Sequence, residues 1–358
     1  MPSKIEQLLQ ERNEVIDYGE LIARFPWIIE HDRKCILSPD SDGLLCGLFM
    51  AHYRGWKIVG FYDDKVGLIN NNYRDNDVVF LDGEIFRSEA KSMGHHMVCL
   101  SNSKRGLLNE GFQNCIQPNL MRNYDGKRYF RLKYPLATIH MLASIVAYAD
   151  KDTDHPITLT TDATAPLYFT DGVFNVLFSY PENVINWFHY LRIHEDWNPL
   201  KTIFENEMSV FDTMQLMHEF FIKRDELTHG KERGDRLKIS EKNGDPYNIE
   251  GDSNNSNINA DAVRRIKEFC KIIGSQTGWL FREEDWICWE NLKYYKFTKG
   301  SFSSDNKTLT IANFEDFILN KNPLSWAQTS GLEIEYTREE PDRFEFFKAK
   351  QKLPTLFE

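Results

Sequence analysis

The sequence predicts an α/β protein built on a parallel sheet, followed by a helical and mixed C-terminal region. Three observations predict it. Short apolar runs rich in β-branched and aromatic residues recur between Lys34 and Ser101. Segments of helical periodicity alternate with them, as in βαβ units. Two of the runs lead into aspartates, at the place where such sheets gather ligands, outside the carboxyl ends of their strands.

Taken in order, residues 1–25 set charge against Ile, Leu and Val at helical spacing and predict one or two short helices. "KCILS" is a short strand. "DGLLCGLFMAHYRG" is a helix with Gly55 as its stop. "WKIVGFY", "DVVFLD" (Asp77 to Asp82) and "MVCLS" (Met97 to Ser101) are further strands. From "YPLATIHMLASIVAYADKD" the chain turns helical, and it stays so through "DGVFNVLFSYPENVINWFHYLRIHEDW" and "LKTIFENEMSVFDTMQLMHEFFIKRDEL". The stretch from Glu241 to Ala260 is dominated by Asn, Asp, Gly and Ser and reads as a flexible loop or linker. The chain thus divides into a sheet-bearing domain over 1–200, a helical connector over 201–240, the loop over 241–260 and a mixed α/β region over 261–358. No internal repeat is visible.

A formal net charge of -11 over 358 residues excludes a generic polyanion binder, so any nucleic-acid contact needs local basic patches or metal ions. The six cysteines form no CxxC pair, which argues against a structural zinc site or a disulfide scaffold and for a reducing, cytoplasmic setting. The N-terminus is too polar for a signal peptide, and no apolar run approaches the roughly 20 residues of a membrane span.

"SPDSDG", "VVFLDGE" and "SMGHHMV" place carboxylates and imidazoles at successive strand ends. Asp40, Asp42, Asp82, His95 and His96 are donors suited to Mn²⁺, Mg²⁺, Fe²⁺ or Zn²⁺. Two such ions held about 3.5–4 Å apart clamp the attacking and leaving oxygens of a phosphoryl displacement. From an extended segment His95 and His96 point in different directions, so one reaches a metal while the other contacts substrate or orients a ligand. The competing reading makes these residues turn acids and helix caps, with Asp42 capping the helix that follows.

The order DxDG, then an apolar strand ending in Asp, then paired histidines, resembles the DHH family of phosphoesterases. That family includes single-strand exonucleases, oligonucleotide and cyclic-dinucleotide phosphodiesterases and inorganic pyrophosphatases. By this likeness Asp40 and Asp42 match the first motif, Asp82 the second, and His95 with His96 the third. A fourth, an Asp after a small-residue helix, looks similar to "SIVAYADKD" and nominates Asp150, with Asp152 as the alternative. The likeness covers residues 30–155. It implies two divalent ions, Mn²⁺ or Mg²⁺, direct attack by a water on phosphorus, and a nucleic-acid or nucleotide substrate. Two positions depart from the family pattern. Gly94 stands where it has an Asp, and Ser38 where it has His or Asp. No glycine-rich "GGGH"-type segment follows. The expected function is a metal-dependent phosphodiesterase or exonuclease acting on single strands, short oligonucleotides or cyclic dinucleotides. Gly94 and Ser38 favour the alternative, a catalytically degenerate DHH-like scaffold, and a small-molecule phosphatase such as a pyrophosphatase is the third reading.

"RNYDGKRYFRLKYP" interleaves Arg122, Lys127, Arg128, Arg131 and Lys133 with aromatic residues. Such a segment either grips phosphates and stacks bases or forms an exposed hairpin with its aromatics turned to the core. Trp279, Trp286, Trp289, Tyr294 and Tyr295 are a candidate stacking platform whose size favours a core role. His155 follows Asp150 closely enough to be considered for the same rim.

Overall fold

A strand that must be covered on both faces needs a continuous apolar run, and "CIL" supplies one. The strand β1 (Lys34–Leu37) lies inside a nine-stranded sheet, buried at Cys35, Ile36 and Leu37. The computed structural model describes residues 4–73, 77–228, 234–303, 315–316, 319–320, 323–331 and 333–338. The other strands of the sheet are β2 (Lys57–Tyr62), β3 (Val66–Asn70), β4 (Val78–Leu81), β5 (Lys91–Met93), β6 (Cys115–Ile116), β7 (Ile249–Gly251), β8 (Ser256–Ile258) and β9 (Leu292–Lys296). Their order is β6-β5-β4-β1-β2-β3-β9-β8-β7, parallel from β6 to β2 and antiparallel beyond. A second, antiparallel sheet has the order β10 (Thr298–Ser303), β12 (Glu333–Arg338), β11 (Pro323–Gln328).

The α/β expectation therefore holds, and three local expectations change. "MVCLS" is not a ladder strand. Met97 makes a single bridge to Gln328, and Trp326 donates its indole N–H to the Val98 carbonyl. The parallel strand beside β4 is the earlier, more polar β5. Residues 241–260, expected as a loop or linker, contribute β7 and β8 at the sheet's edge, where exposed polar side chains are tolerated. Because β9 pairs with β3, the regions divided at residues 200 and 260 share one sheet.

Two helices position the site. Ser41–Arg54 follows β1 and ends at Gly55 in the left-handed conformation, φ 67°, which relieves the backbone at the stop. Thr138–Asp150 packs beside it. The carboxylate of Asp42, in the first turn of one helix, accepts the first N–H groups of the other. At the far end the Arg54 guanidinium grips Asp150 bidentately at 2.8 and 2.9 Å. Pinned at both ends, the helices run parallel, and both N-termini face the sheet rim with the positive ends of their dipoles. Trp279, Trp286 and Trp289 are buried, the core role that their size favours. All six cysteines are free and buried. Among the described residues no helix is long and apolar enough to cross a membrane.

Candidate metal centre

The rim is built from chain ends that have no other choice of direction. After β1 the chain turns at Ser38–Pro39, and Asp40 becomes the N-cap of the Ser41–Arg54 helix, accepting a hydrogen bond from the Gly43 N–H at 3.3 Å. The cap is thus Asp40, not Asp42. Asp42 is fully buried and spends its two oxygens on the N–H groups of Thr138, at 2.7 Å, and Ile139, at 3.0 Å. These are orphan donors at a helix start. Asp82 closes β4 in a left-handed conformation, φ 60°, next to Gly83. Its carboxylate accepts the Thr138 hydroxyl at 2.9 Å.

His95 completes this side. Its Nδ1 lies 2.9 Å from the Thr138 hydroxyl oxygen, 3.5 Å from Asp82 and 3.6 Å from Asp42. Since the Thr138 hydroxyl gives its one hydrogen to Asp82, Nδ1 donates to Thr138, and a metal-binding ring would offer its lone pair on Nε2. That nitrogen faces Asp171 Oδ2 at 3.8 Å. One donor atom from each of Asp42, Asp82, His95 and Asp171 lies within 4.8 Å of the other three. Two lone-pair atoms that face each other without a hydrogen between them suit a cation.

Charge crowding fits the same picture. Burial, then the neighbouring Asp82 and Asp171, push the Asp40 carboxyl up to about 8. The same causes hold Asp42 well above the carboxylate range. Burial would also raise Asp82, but the His95 and His96 rings and the Asp42 side chain together outweigh it and hold Asp82 below the ordinary range.

His96 does not point away from His95 as the extended segment predicts: the two rings stack, with centroids 4.4 Å apart. The His96 ring and backbone N–H both meet the buried Glu84, at 3.3 and 2.6 Å. Desolvation at the cavity wall opposes charge on the ring, yet the Glu84 carboxylate prevails and pushes it up to about 10. Glu84 also explains Gly94. A Cβ built at Gly94 would stand 2.5 Å from Glu84 Cδ and 2.6 Å from Oε1. A carboxylate from the segment after Asp82 thus fills the space that a side chain at position 94 would take. Gly94→Ala is expected to unseat Glu84 and cost about 1–3 kcal/mol, read from urea unfolding midpoints. A variant as stable as the wild type would contradict this packing.

Asp171 went unnoticed in the sequence. It follows the Thr164–Phe169 helix at φ 51°, with Gly172 at φ 66°. The readable signal was an Asp-Gly pair after an apolar element, the same pair as Asp42-Gly43 and Asp82-Gly83. Thr138, Glu84 and Arg236 were missed as well. Asp150, nominated in its place, is not at the rim. It ends the helix that Thr138 begins, about 18 Å away at 1.5 Å per residue, and it binds Arg54. Asp152 pairs with Lys151 at 2.5 Å, and His155 is exposed in the turn beyond.

The basic aromatic segment is also reassigned. It forms two short helical turns, Gly126–Tyr129 and Phe130–Leu132, not a hairpin. Arg122 is buried against Tyr124, Trp187 and Tyr190 and donates to Glu14 at 3.0 Å. It is a core cation, not a substrate ligand. Lys127, Arg128 and Arg131 are exposed and do not line the cavity at the cluster.

That cavity, about 220 Å³, lies between the rim and the small sheet. Asp40, Asp82, Glu84, His96 and Asp171 face Ser325, Trp326 and Tyr336 across it, and Lys65, Arg236 and Lys299 bring positive charge to its walls. No family model, curated protein or solved structure compared with this chain matches it.

Proposed function

We infer that this chain is a metal-dependent phosphodiesterase of DHH-like design. The observation that carries this reading is the convergence of Asp42, Asp82, His95 and Asp171 within 4.8 Å, beside a cavity with cationic walls. Carboxylate and imidazole donors of that kind suit Mn²⁺ or Mg²⁺. A divalent ion there would supply the water activation and charge neutralisation that phosphoryl transfer requires.

The remaining work falls to the chain itself. Asp42 and Thr138 fix the positions of the donors. The His96 imidazolium, kept charged by Glu84, faces the cavity and donates a hydrogen bond to a phosphoryl or leaving oxygen. Arg236, Lys65 and Lys299 draw the anionic substrate in. The small sheet restricts water at the reacting phosphorus. Among the described residues one four-donor set is assembled, and Asp40 lies outside it. A second ion would rest on Asp40 and Asp82, with Ser38 contributing no carboxylate or imidazole.

That thinner second position favours one competing reading, a non-catalytic DHH-like module that binds cation and partner. The two are separated by hydrolysis of bis-p-nitrophenyl phosphate and of short RNA and DNA oligomers, with Mn²⁺ restored after chelation. Mn²⁺-dependent cleavage that disappears in Asp82→Ala is the expected result. Calorimetric Mn²⁺ binding without cleavage would select the non-catalytic module, and the absence of both would remove either reading.

A further inference from the structure

Lys65, Arg236 and Lys299 line the cluster cavity, and two of the three are spent on neighbours. Lys299 is held between Asp64, at 3.3 Å, and Glu335, at 2.8 Å. Lys65 donates to the Glu241 carbonyl at 3.2 Å. Arg236 makes no hydrogen bond or ion pair among the described residues, so its planar fork of donors is uncommitted.

The backbone of Arg236 is fixed on both sides. Leu237 is fully buried and donates its N–H to the carbonyl of Pro39, the residue before Asp40, at 2.8 Å. Gly234 lies so close to the Val210–Glu226 helix that a Cβ there would stand 2.4 Å from the Arg224 carbonyl oxygen. An exposed guanidinium on a fixed backbone is thereby kept beside the turn that carries Asp40. Burial and the neighbouring acids raise the Asp40 carboxyl, and the Arg236 charge opposes them.

A second divalent ion has little to hold it in the same place. Beyond Asp42, Asp82, His95 and Asp171, no group of three or more donors converges among the described residues. Asp40 gives one oxygen to the Gly43 N–H at 3.3 Å, the His96 ring is hydrogen-bonded to Glu84, and Ser38 brings no charge. In-line displacement at phosphorus nevertheless spreads negative charge over the phosphoryl and leaving oxygens, and one ion covers only part of it. A guanidinium supplies permanent charge and paired N–H donors that match two phosphoryl oxygens, and it needs no ligands of its own.

We propose that Arg236 takes the charge-stabilising place of a second ion. The reaction then runs on one divalent ion, held by Asp42, Asp82, His95 and Asp171, with the Arg236 guanidinium on the phosphoryl oxygens beside Asp40. This rests on the phosphodiesterase reading and sets a single ion in place of the pair that the family resemblance implies. The water oxygen bonds to phosphorus, the ester P–O bond breaks, and the proton lost by the water balances the one taken up by the leaving oxygen. Arg236 exchanges no proton and acts through charge and hydrogen bonds alone. Its contribution grows as charge builds on the phosphoryl oxygens, so it belongs to kcat and not only to substrate capture.

The test pairs calorimetry of the full chain, titrated with Mn²⁺ after chelation, with steady-state turnover of bis-p-nitrophenyl phosphate. The wild type is expected to bind one Mn²⁺ per chain and to reach full turnover once that ion is bound. Arg236→Ala is expected to lower kcat about a hundredfold or more, with the same single Mn²⁺ bound and the urea unfolding midpoint unchanged. Arg236→Lys is expected to recover little of the loss, because a point charge lacks the fork. Millimolar guanidinium chloride added to Arg236→Ala is expected to recover part of it. Turnover that requires two Mn²⁺ per chain, or an Arg236→Ala variant that raises KM and leaves kcat unchanged, would overturn the proposal while leaving the phosphodiesterase reading intact. A wild type that hydrolyses nothing with Mn²⁺ bound would remove that reading, and the role of Arg236 with it.

Discussion

Asp171→Ala lowers Mn²⁺-dependent phosphodiester turnover by at least about a hundredfold, because changes in outer-shell partners alone cost about 10–100-fold and Asp171 is a donor in the four-residue set. The folded state does not suffer. In the metal-free protein Asp171 raises the pKa values of Asp40 and Asp42, so its removal relieves repulsion. Asp150→Ala is the mirror image. It strips the bidentate partner from Arg54, whose side chain is 5% exposed, and an uncompensated buried charge costs about 3 kcal/mol or more. Turnover per folded molecule is unchanged, since Asp150 lies a helix length from the cluster. Steady-state kinetics paired with urea unfolding separates the two. If Asp150→Ala lost activity at full stability, the assignment of the site would be wrong.

Gly43→Ala carries the second large effect, on stability and site together. A Cβ at Gly43 would lie 2.0 Å from the Ser38 carbonyl oxygen and 2.8 Å from both its carbon and its nitrogen. These are backbone atoms and cannot rotate aside. The Ser38 N–H is itself bonded to the Leu81 carbonyl at 3.1 Å, so a displaced Ser38 drags on β4 immediately before Asp82. Overpacking of a tight contact costs about 1–3 kcal/mol and occasionally more, and this contact belongs at the upper end. Loss of Mn²⁺ affinity by calorimetry should accompany the fall in unfolding midpoint. A stable variant with unchanged affinity would show that the turn is not what sets the donor positions.

The parts of this site that were legible in the sequence are those written into strong local elements. β1 and β4 are short apolar runs, and the residues after them had to fall on one rim, so Asp42 and Asp82 could be placed together, whereas His95 follows the polar β5 and was legible only as a paired histidine. Asp171 was hidden because its approach is helical and its own backbone is a left-handed turn, which leaves no periodic trace. Thr138 acts through a backbone N–H and a hydroxyl, and neither is distinguishable in sequence from an ordinary helix start. β5 has Lys and Ser in three residues, so its neighbour "MVCLS" looked more like a strand than the strand did. Arg122 misled for a chemical reason: a guanidinium on tyrosine and tryptophan rings reads the same whether it stacks in a core or waits for a base.

The lining of the cluster cavity comes from separated parts of the sequence, residues 38–171 with Arg236 on one side and residues 299–337 on the other. During synthesis the donor set is therefore complete well before the small sheet exists. A chain cut between those points would carry all four donor residues of the cluster yet lack the Trp326 and Tyr336 wall, leaving the rim open to bulk water.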